Sequence, residues 1–221
     1  MTRILLIALV FMSSQLTLLS QEGDCYRTAK FGTTDICLPV IDGYTESYTD
    51  SQVKQLADAT EVPLNMVLGY YINEKSYENF DSIDKMDDFF KVYGTIQLQD
   101  SPATRNEIAE IGNIVKGSFI TKNWEELSKD IKIKGLEMEV GVPTVVKSYN
   151  LNDESFTMIL IARYAIEGAE PYDMALTMNG FISNGRMVWM AYYLLFEGEE
   201  TIKQIELKSN EILTILQKAG A

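Results

Sequence analysis

The chain has few residue types that could carry catalysis, because its 221 residues include no histidine. Ser-His-Asp triads, Cys-His dyads and histidine metal sites are therefore excluded within it. The glycine-rich phosphate-binding patterns of nucleotide sites do not occur either. The chemistry that remains is that of carboxylates, either a glycosidase-like pair or a calcium site of hard oxygen ligands.

Three clusters of acidic and amide side chains could supply that chemistry. Their members are Asp81, Asp84, Asp87 and Asp88; Asn150, Asn152, Asp153 and Glu154; and Glu197, Glu199 and Glu200. None follows the DxDxDG order of a calcium loop. Their spacings are typical of a solvated helix face, a hairpin turn and a helix start, respectively. We therefore predict no catalytic residue, no metal ligand and no cofactor, with a weak cation site as the alternative.

Cys25 and Cys37 are the two cysteines of the chain, and two such thiols usually pair in an exported protein. If residues 30–32 form a three-residue hairpin loop with Gly32 in the left-handed conformation, residues whose numbers sum to 62 face one another. Cys25 and Cys37 then lie directly opposite, so we predict a structural disulfide. Their spacing is unlike the CxxC pattern of redox-active pairs.

Aromatic residues are abundant in the middle of the chain. The members of this group are Tyr70, Tyr71, Tyr77, Phe80, Phe89, Phe90 and Tyr93. Most should belong to the core or to half-buried strands. If the sheet leaves a groove open, some of them would line a pocket for a small apolar or sugar ligand. The sequence leaves the ligand-binding residues unidentified.

The net charge of −13 limits the partners of the chain. An acidic surface repels nucleic-acid phosphates and anionic lipid headgroups, so we expect neither as a partner. In the simplest interpretation the charge serves solubility. A cation or a basic protein partner is the alternative.

The first twenty residues have the order of a secretory signal peptide. Arg3 precedes nine apolar residues at 4–12, and a polar stretch of small residues follows at 13–20. Nine apolar residues are too few for a membrane-spanning helix, which needs about 20. We predict cleavage after Ser20, one domain over 21–221, a periplasmic or secreted location and no membrane insertion after cleavage.

Periodicity and capping residues predict the elements that position these groups. After the N-terminal hairpin, the predicted elements are a helix capped by Asp50 or Ser51, strands over 65–72 and 89–98, a helix with Ser101 as N-cap and Pro102 at its first position, a helix from Asn123 with Trp124 packed inward, strands near 145–150, 155–164, 173–182 and 187–196, and a helix over 200–218.

Asn184-Gly185 is the clearest turn signal, because Asn-Gly favours the type I′ turn of a two-residue hairpin. The resulting register sets Trp189 opposite Gly180, where the indole can cover the bare glycine backbone. The strand 187–196 is apolar on both faces and therefore needs cover on both. We predict an α+β fold in which an antiparallel β-sheet is flanked by helices on both faces.

The order of these elements resembles the Mog1/PsbP-like α/β/α sandwich, which includes the DcrB-like exported bacterial proteins. The residues that carry the resemblance are Asn184-Gly185-Arg186, Tyr192, Tyr193, Thr201-Ile202 and, early in the domain, Ile36-Cys37-Leu38-Pro39. The resemblance implies accessory, binding or assembly roles more than catalysis. It carries over no functional residue, and fold alone does not establish function.

We therefore expect a non-catalytic exported protein that binds another protein or a small ligand in the cell envelope or extracellular space. One alternative is a hydrolase that uses two carboxylates. Another is an acidic inhibitor or immunity-type protein that masks the basic active site of one partner.

The predicted signal peptide can be tested directly on the natural protein. We expect the mature chain to begin near Gln21 and to be recovered from a soluble fraction outside the cytoplasm. N-terminal sequencing or intact mass measures this. A product that still starts at Met1 in the membrane pellet would contradict the prediction.

Overall fold

The structure is a computed structural model, and it describes residues 25–77, 87–116, 119–127, 138–166, 168 and 170–221. The predicted signal peptide at 1–20 lies outside these residues. So do three residues discussed above, Phe80, Asp81 and Asp84.

The described residues form ten strands and six helices. The strands are β1 (Cys25–Phe31), β2 (Thr34–Pro39), β3 (Tyr44–Glu46), β4 (Asn65–Asn73), β5 (Asp88–Thr95), β6 (Met138–Val140), β7 (Thr144–Asn152), β8 (Ser155–Ile166), β9 (Tyr172–Ser183) and β10 (Arg186–Leu195). The helices are α1 (Ser51–Ala59), α2 (Glu74–Tyr77), α3 (Arg105–Lys116), α4 (Phe119–Lys122), α5 (Trp124–Leu127) and α6 (Glu199–Ala219).

The strands β3 to β10 form one antiparallel sheet, and β1 and β2 form a separate hairpin. The order across the sheet is β3, β4, β5, β10, β9 and β8. The outer edge of β8 pairs with β7 along its first half and with β6 at its end. β10 therefore lies near the middle of the sheet, with β5 on one side and β9 on the other.

One face of the sheet, which we call the first face, is covered by α6 and by the β1–β2 hairpin. The buried apolar residues of α6 are Ile205, Ile212, Leu213 and Leu216. The hairpin lies close to the sheet because glycines lie beneath it. A side chain at Gly94 would overlap the ring of Phe31, and a side chain at Gly69 would press against Leu38.

The opposite, second face is covered by α1 at one side and by α3, α4 and α5 at the other. Val53 and Ala57 of α1 pack against β4. Ile108 of α3 packs against Phe156, and Ile120 of α4 packs against β8. The predicted fold class is thus confirmed, with helices on both faces of an antiparallel sheet.

The N-terminal hairpin has a tighter turn than predicted. Its loop consists of the two residues 32–33, so paired residue numbers sum to 65 and not to 62. Gly32 has the predicted left-handed conformation, with φ of +58°. A bulge at the start of β1 then pairs Cys25 with Pro39. The Cα atoms of Cys25 and Cys37 lie 5.3 Å apart, and the predicted disulfide is present.

The helix predicted to begin at Pro102 begins later, at Arg105. Thr104 is its N-cap, because Thr104 Oγ1 accepts the backbone N–H of Glu107 while the Glu107 carboxylate accepts that of Thr104. This reciprocal capping box satisfies two helix-end donors at once. A Ser101 cap without a partner carboxylate would satisfy fewer of these donors.

The strand predicted over 89–98 ends at Thr95, where a short 3-10 turn, Ile96–Leu98, replaces its last residues. The backbone N–H of Ile96 bonds to the carbonyl of Leu64, which turns the chain away from the sheet. The other predicted strands and helices are confirmed to within two residues. Asp50 is the N-cap of α1 and accepts two backbone N–H groups.

The Asn184-Gly185 hairpin has the predicted register. Both residues have positive φ, +46° and +72°, as a type I′ turn requires, and Trp189 pairs with Gly180. The atoms nearest to a side chain placed at Gly180 belong to Phe156 and Met187, so these two residues, and not Trp189, cover the glycine most closely. Phe156 reaches the glycine from the neighbouring strand β8. Met187 reaches it from β10, two residues before Trp189.

The ring of Trp189 should stabilise the consecutive antiparallel strands β8, β9 and β10. The indole is half-buried, lies edge-on to Phe156 at 5.5 Å and stacks over Tyr93 at 6.4 Å, measured between ring centroids. Trp189→Ala should therefore cost about 3 kcal/mol of unfolding free energy. Asn184→Ala, which strains the turn and removes the hydrogen bond from Asn184 Nδ2 to the Asp35 carbonyl, should cost less, and urea denaturation compares the two. A Trp189→Ala protein of normal stability that loses a partner or ligand would show that the ring serves binding.

Candidate functional site

A cavity of about 310 Å³ lies between the second face of the sheet and its helices. Side chains of the central strands form its base, and residues after α1, in α4 and α5 and around β6 form its walls. The lining residues are Thr60, Glu61, Val62, Asn65, Tyr70, Phe89, Lys91, Tyr93, Ile120, Trp124, Val140, Pro143, Leu160, Ala162, Tyr164, Ile166, Tyr172, Met174, Leu176, Met178, Ala191 and Tyr193.

Strand alternation explains why the base of the cavity is apolar. Leu160 pairs with Leu176 and Ala162 with Met174 across β8 and β9, and successive residues of a strand point to opposite faces. All four therefore point to the second face. The short side chain of Ala162, which is 3 % exposed, leaves the space that a larger residue would fill.

The helical wall holds its position through Trp124. This half-buried side chain packs with Ile120 against the sheet, and its Nε1 donates to the carbonyl of Val140 at 3.3 Å. The contact ties α5 to β6 at the edge of the sheet. The prediction that Trp124 packs inward is confirmed.

One ion pair lies in the wall of this mostly apolar cavity. Lys91 Nζ is 2.6 Å from Glu61 Oε2, with the two side chains 11 % and 9 % exposed. Glu61 Oε1 accepts from Asn65 Nδ2 at 2.9 Å and from the backbone N–H of Val62 at 3.1 Å. Burial would lower the pKa of Lys91, but its interactions with Tyr193 and Glu61 outweigh burial and raise it. Lys91 is therefore charged at neutral pH.

Stacked rings also line the cavity. Phe89 lies between Tyr70 and Tyr193, at centroid distances of 5.6 and 4.7 Å, and Tyr164 stacks on Tyr172 at 5.8 Å. Burial raises the pKa of Tyr70 and of Tyr164. These phenols are neutral at physiological pH, and Lys91 and Glu61 carry the charges of the described lining.

The structure separates the aromatic residues that the sequence grouped together. Tyr70, Phe89 and Tyr93 line the cavity. Tyr71 and Phe90 are stacked at 4.3 Å in the core of the first face. The predicted aromatic-lined pocket is thus present, and alternation along β4 and β5 decides which rings reach it.

A second, polar cleft of about 410 Å³ adjoins Asp88. Asp88 Oδ1 accepts from the hydroxyls of Tyr44 and Tyr192 at 2.6 and 2.9 Å. Its Oδ2 accepts from Asn73 Nδ2 at 3.1 Å and Lys208 Nζ at 3.0 Å. Each oxygen of this carboxylate already accepts two hydrogen bonds, so neither is available to take a proton from a substrate. The network links β3, β4, β5, β10 and α6, which is a structural role.

The other two acidic clusters lie where the sequence placed them. Asn152 Oδ1 accepts the backbone N–H of Glu154 in the β7–β8 turn, and Glu154 pairs with Arg105 of α3. Glu199 and Glu200 form the first turn of α6, where acids meet the helix dipole favourably. No three metal-binding side chains of the described residues come together as a cation site.

No local pattern in the sequence pairs Lys91 with Glu61. Lys91 occupies a position of β5 that alternation assigned to the polar face, and Glu61 lies in a loop. A signal was nevertheless present. Lys91 pairs with Ala191 of β10, and a strand that is apolar on both faces buries its neighbours on both faces too.

Comparison with known proteins adds little to this geometry. No protein-family model matches the chain, and no curated protein matches it. Among solved structures, it is similar to the Ran-binding protein Mog1p of Saccharomyces cerevisiae, with 12 % identity and a TM-score of 0.37 over 82 % of this chain and 86 % of that chain. The match agrees with the predicted Mog1/PsbP-like resemblance, which is a likeness of arrangement alone. Among the described helices, none has the length and apolar character needed to cross a bilayer.

The buried pair should show strong energetic coupling. Lys91→Met leaves the Glu61 charge buried without its partner and should cost about 3–5 kcal/mol of unfolding free energy. The double variant with Glu61→Gln should recover much of that loss. Urea denaturation of the four proteins in this cycle measures the coupling.

The exposed pair Lys54–Asp58 on α1 provides the control. Its coupling in the cycle of Lys54→Met and Asp58→Asn should stay below about 1 kcal/mol. Equal coupling in the two cycles would show that the Lys91–Glu61 pair is solvated and that the cavity is open to water.

Proposed function

We propose that this protein is an exported, non-catalytic binding protein that holds a small apolar ligand in the cavity. The observation that supports the proposal best is the cavity itself, at about 310 Å³. Small-molecule sites have volumes of about 300–1,000 Å³, are mostly apolar and carry a few polar groups that fix orientation. The cavity has this size and this composition.

The position of the cavity also supports binding. Its base includes β8, β9 and β10, three long strands that pair with one another over most of their length. Such a base is largely formed before a ligand arrives, so little conformational entropy is lost on binding. Its stacked rings favour flat apolar groups over sugars, because most of the surface that lines the cavity is apolar.

The alternative of a carboxylate hydrolase has less support. Glu61 and Asp88 are the acidic residues most enclosed in the two pockets, and hydrogen bonds or ion pairs occupy both oxygens of each. A general acid or base needs a free oxygen within reach of substrate. The alternative of an acidic inhibitor rests on net charge only.

Filling the cavity tests this proposal. Ala162→Met places a longer side chain in the cavity, whereas Ala165→Met lies on the same strand and points to the other face. We expect naphthalene to raise the melting temperature of the natural protein and of Ala165→Met. Binding to Ala162→Met should be roughly tenfold weaker or lost, because the added atoms occupy the ligand's space.

The same measurement can overturn the proposal. If naphthalene and other small neutral aromatic compounds leave the melting temperature of the natural protein unchanged, the cavity is not a ligand site. The same conclusion follows if Ala162→Met and Ala165→Met bind the probe equally well.

A further inference from the structure

The Lys91 ammonium has more N–H groups than it donates to the described residues. Its ammonium carries three N–H groups, and one of them donates to Glu61 Oε2 at 2.6 Å. The rings of Tyr93 and Tyr193, at 5.4 and 6.0 Å, favour the positive charge but offer no acceptor of comparable strength. Lys91 is only 9 % exposed. Buried donors are usually paired, and Glu61 is the acceptor for Lys91 Nζ among the described residues, so the ammonium can still donate to a ligand.

The neighbours of Lys91 restrict the charge of any group that could supply this acceptor. Glu61 already balances the ammonium, and its own oxygens accept three hydrogen bonds. An anionic ligand would add an unbalanced charge beside Glu61 in a region of low dielectric, at a large desolvation cost. A cationic ligand would meet Lys91. The net charge of −13 further disfavours anions.

We infer that the cavity takes a neutral amphiphile, with a flat apolar body against the stacked rings and one oxygen that accepts from Lys91 Nζ. A ketone, an ester, an amide or an alcohol meets this description. The inference rests on the proposed function and narrows it to a chemical class. Lys91 is then the residue that orients the ligand, and Glu61 holds the ammonium in place.

A matched set of probes tests the inference on the mature protein. Methyl naphthyl ketone supplies the oxygen, isopropenylnaphthalene has nearly the same shape without it, and naphthoate replaces it with a charge. We expect calorimetry to show that the ketone binds about tenfold or more tightly than the hydrocarbon, because a hydrogen bond to a charged donor is the difference. Naphthoate should bind more weakly than the ketone. The carbonyl infrared stretch of bound ketone should shift to lower frequency.

Two paired variants assign this preference to Lys91. Lys91→Met with Glu61→Gln removes the donor and its counter-charge together, so the ketone and the hydrocarbon should bind equally and the infrared shift should vanish. Lys54→Met with Asp58→Asn removes an exposed pair of the same type. This control should keep both the preference and the shift.

The outcomes separate the inference from the proposed function. Equal affinity of the natural protein for the ketone and the hydrocarbon, or tightest binding of naphthoate, would overturn the inference and leave an apolar ligand site. A preference that survives Lys91→Met with Glu61→Gln would also overturn it. If none of the three probes binds, the proposed function fails as well.

Discussion

The fold depends on the need to cover β10 on both faces. This strand lies in the middle of the sheet, and its side chains are apolar in both directions. Leaving either face in water would forgo about 25 cal/mol for each Å² of apolar surface. The chain therefore has to bring elements from both ends to the sheet. The N-terminal hairpin and α6 cover the first face, and α1 and α3 to α5 cover the second.

The elements that cover the two faces of the sheet are held in different ways. This difference leaves the cavity on which the proposed function rests. On the first face, buried polar groups fix the position of α6: Asn179 bonds to Thr177 and Thr157, and Ser209 of α6 lies 2.9 Å from the Thr177 hydroxyl. Such a fully paired network permits one arrangement of the helix. On the second face, short helices and loops meet at the edges of the sheet and leave a space above Ala162. The Lys91–Glu61 pair in the wall of the cavity can orient a ligand, and the two charges balance each other.

Much of the fold could be predicted from the sequence, whereas the site could not. Local chemistry specifies the Asn184-Gly185 turn and its register, and both faces of β10 follow from residue type alone. The predictions that failed depended on competition between local signals, as when the Thr104–Glu107 capping box displaced Ser101. Lys91 and Glu61 are thirty positions apart, and no local pattern shows that the fold brings the loop after α1 beside β5. Periodicity cannot reveal a cavity, because an unfilled space leaves no residue in the sequence.

A crystal structure of the protein with methyl naphthyl ketone bound tests the central claim most directly. We predict that the naphthyl ring lies in the cavity against the stacked rings of Phe89 and Tyr193 and that the ketone oxygen lies within hydrogen-bond distance of Lys91 Nζ. Side chains that close the cavity beside these rings, or a Lys91 ammonium whose three N–H groups all donate to protein acceptors, would contradict the account.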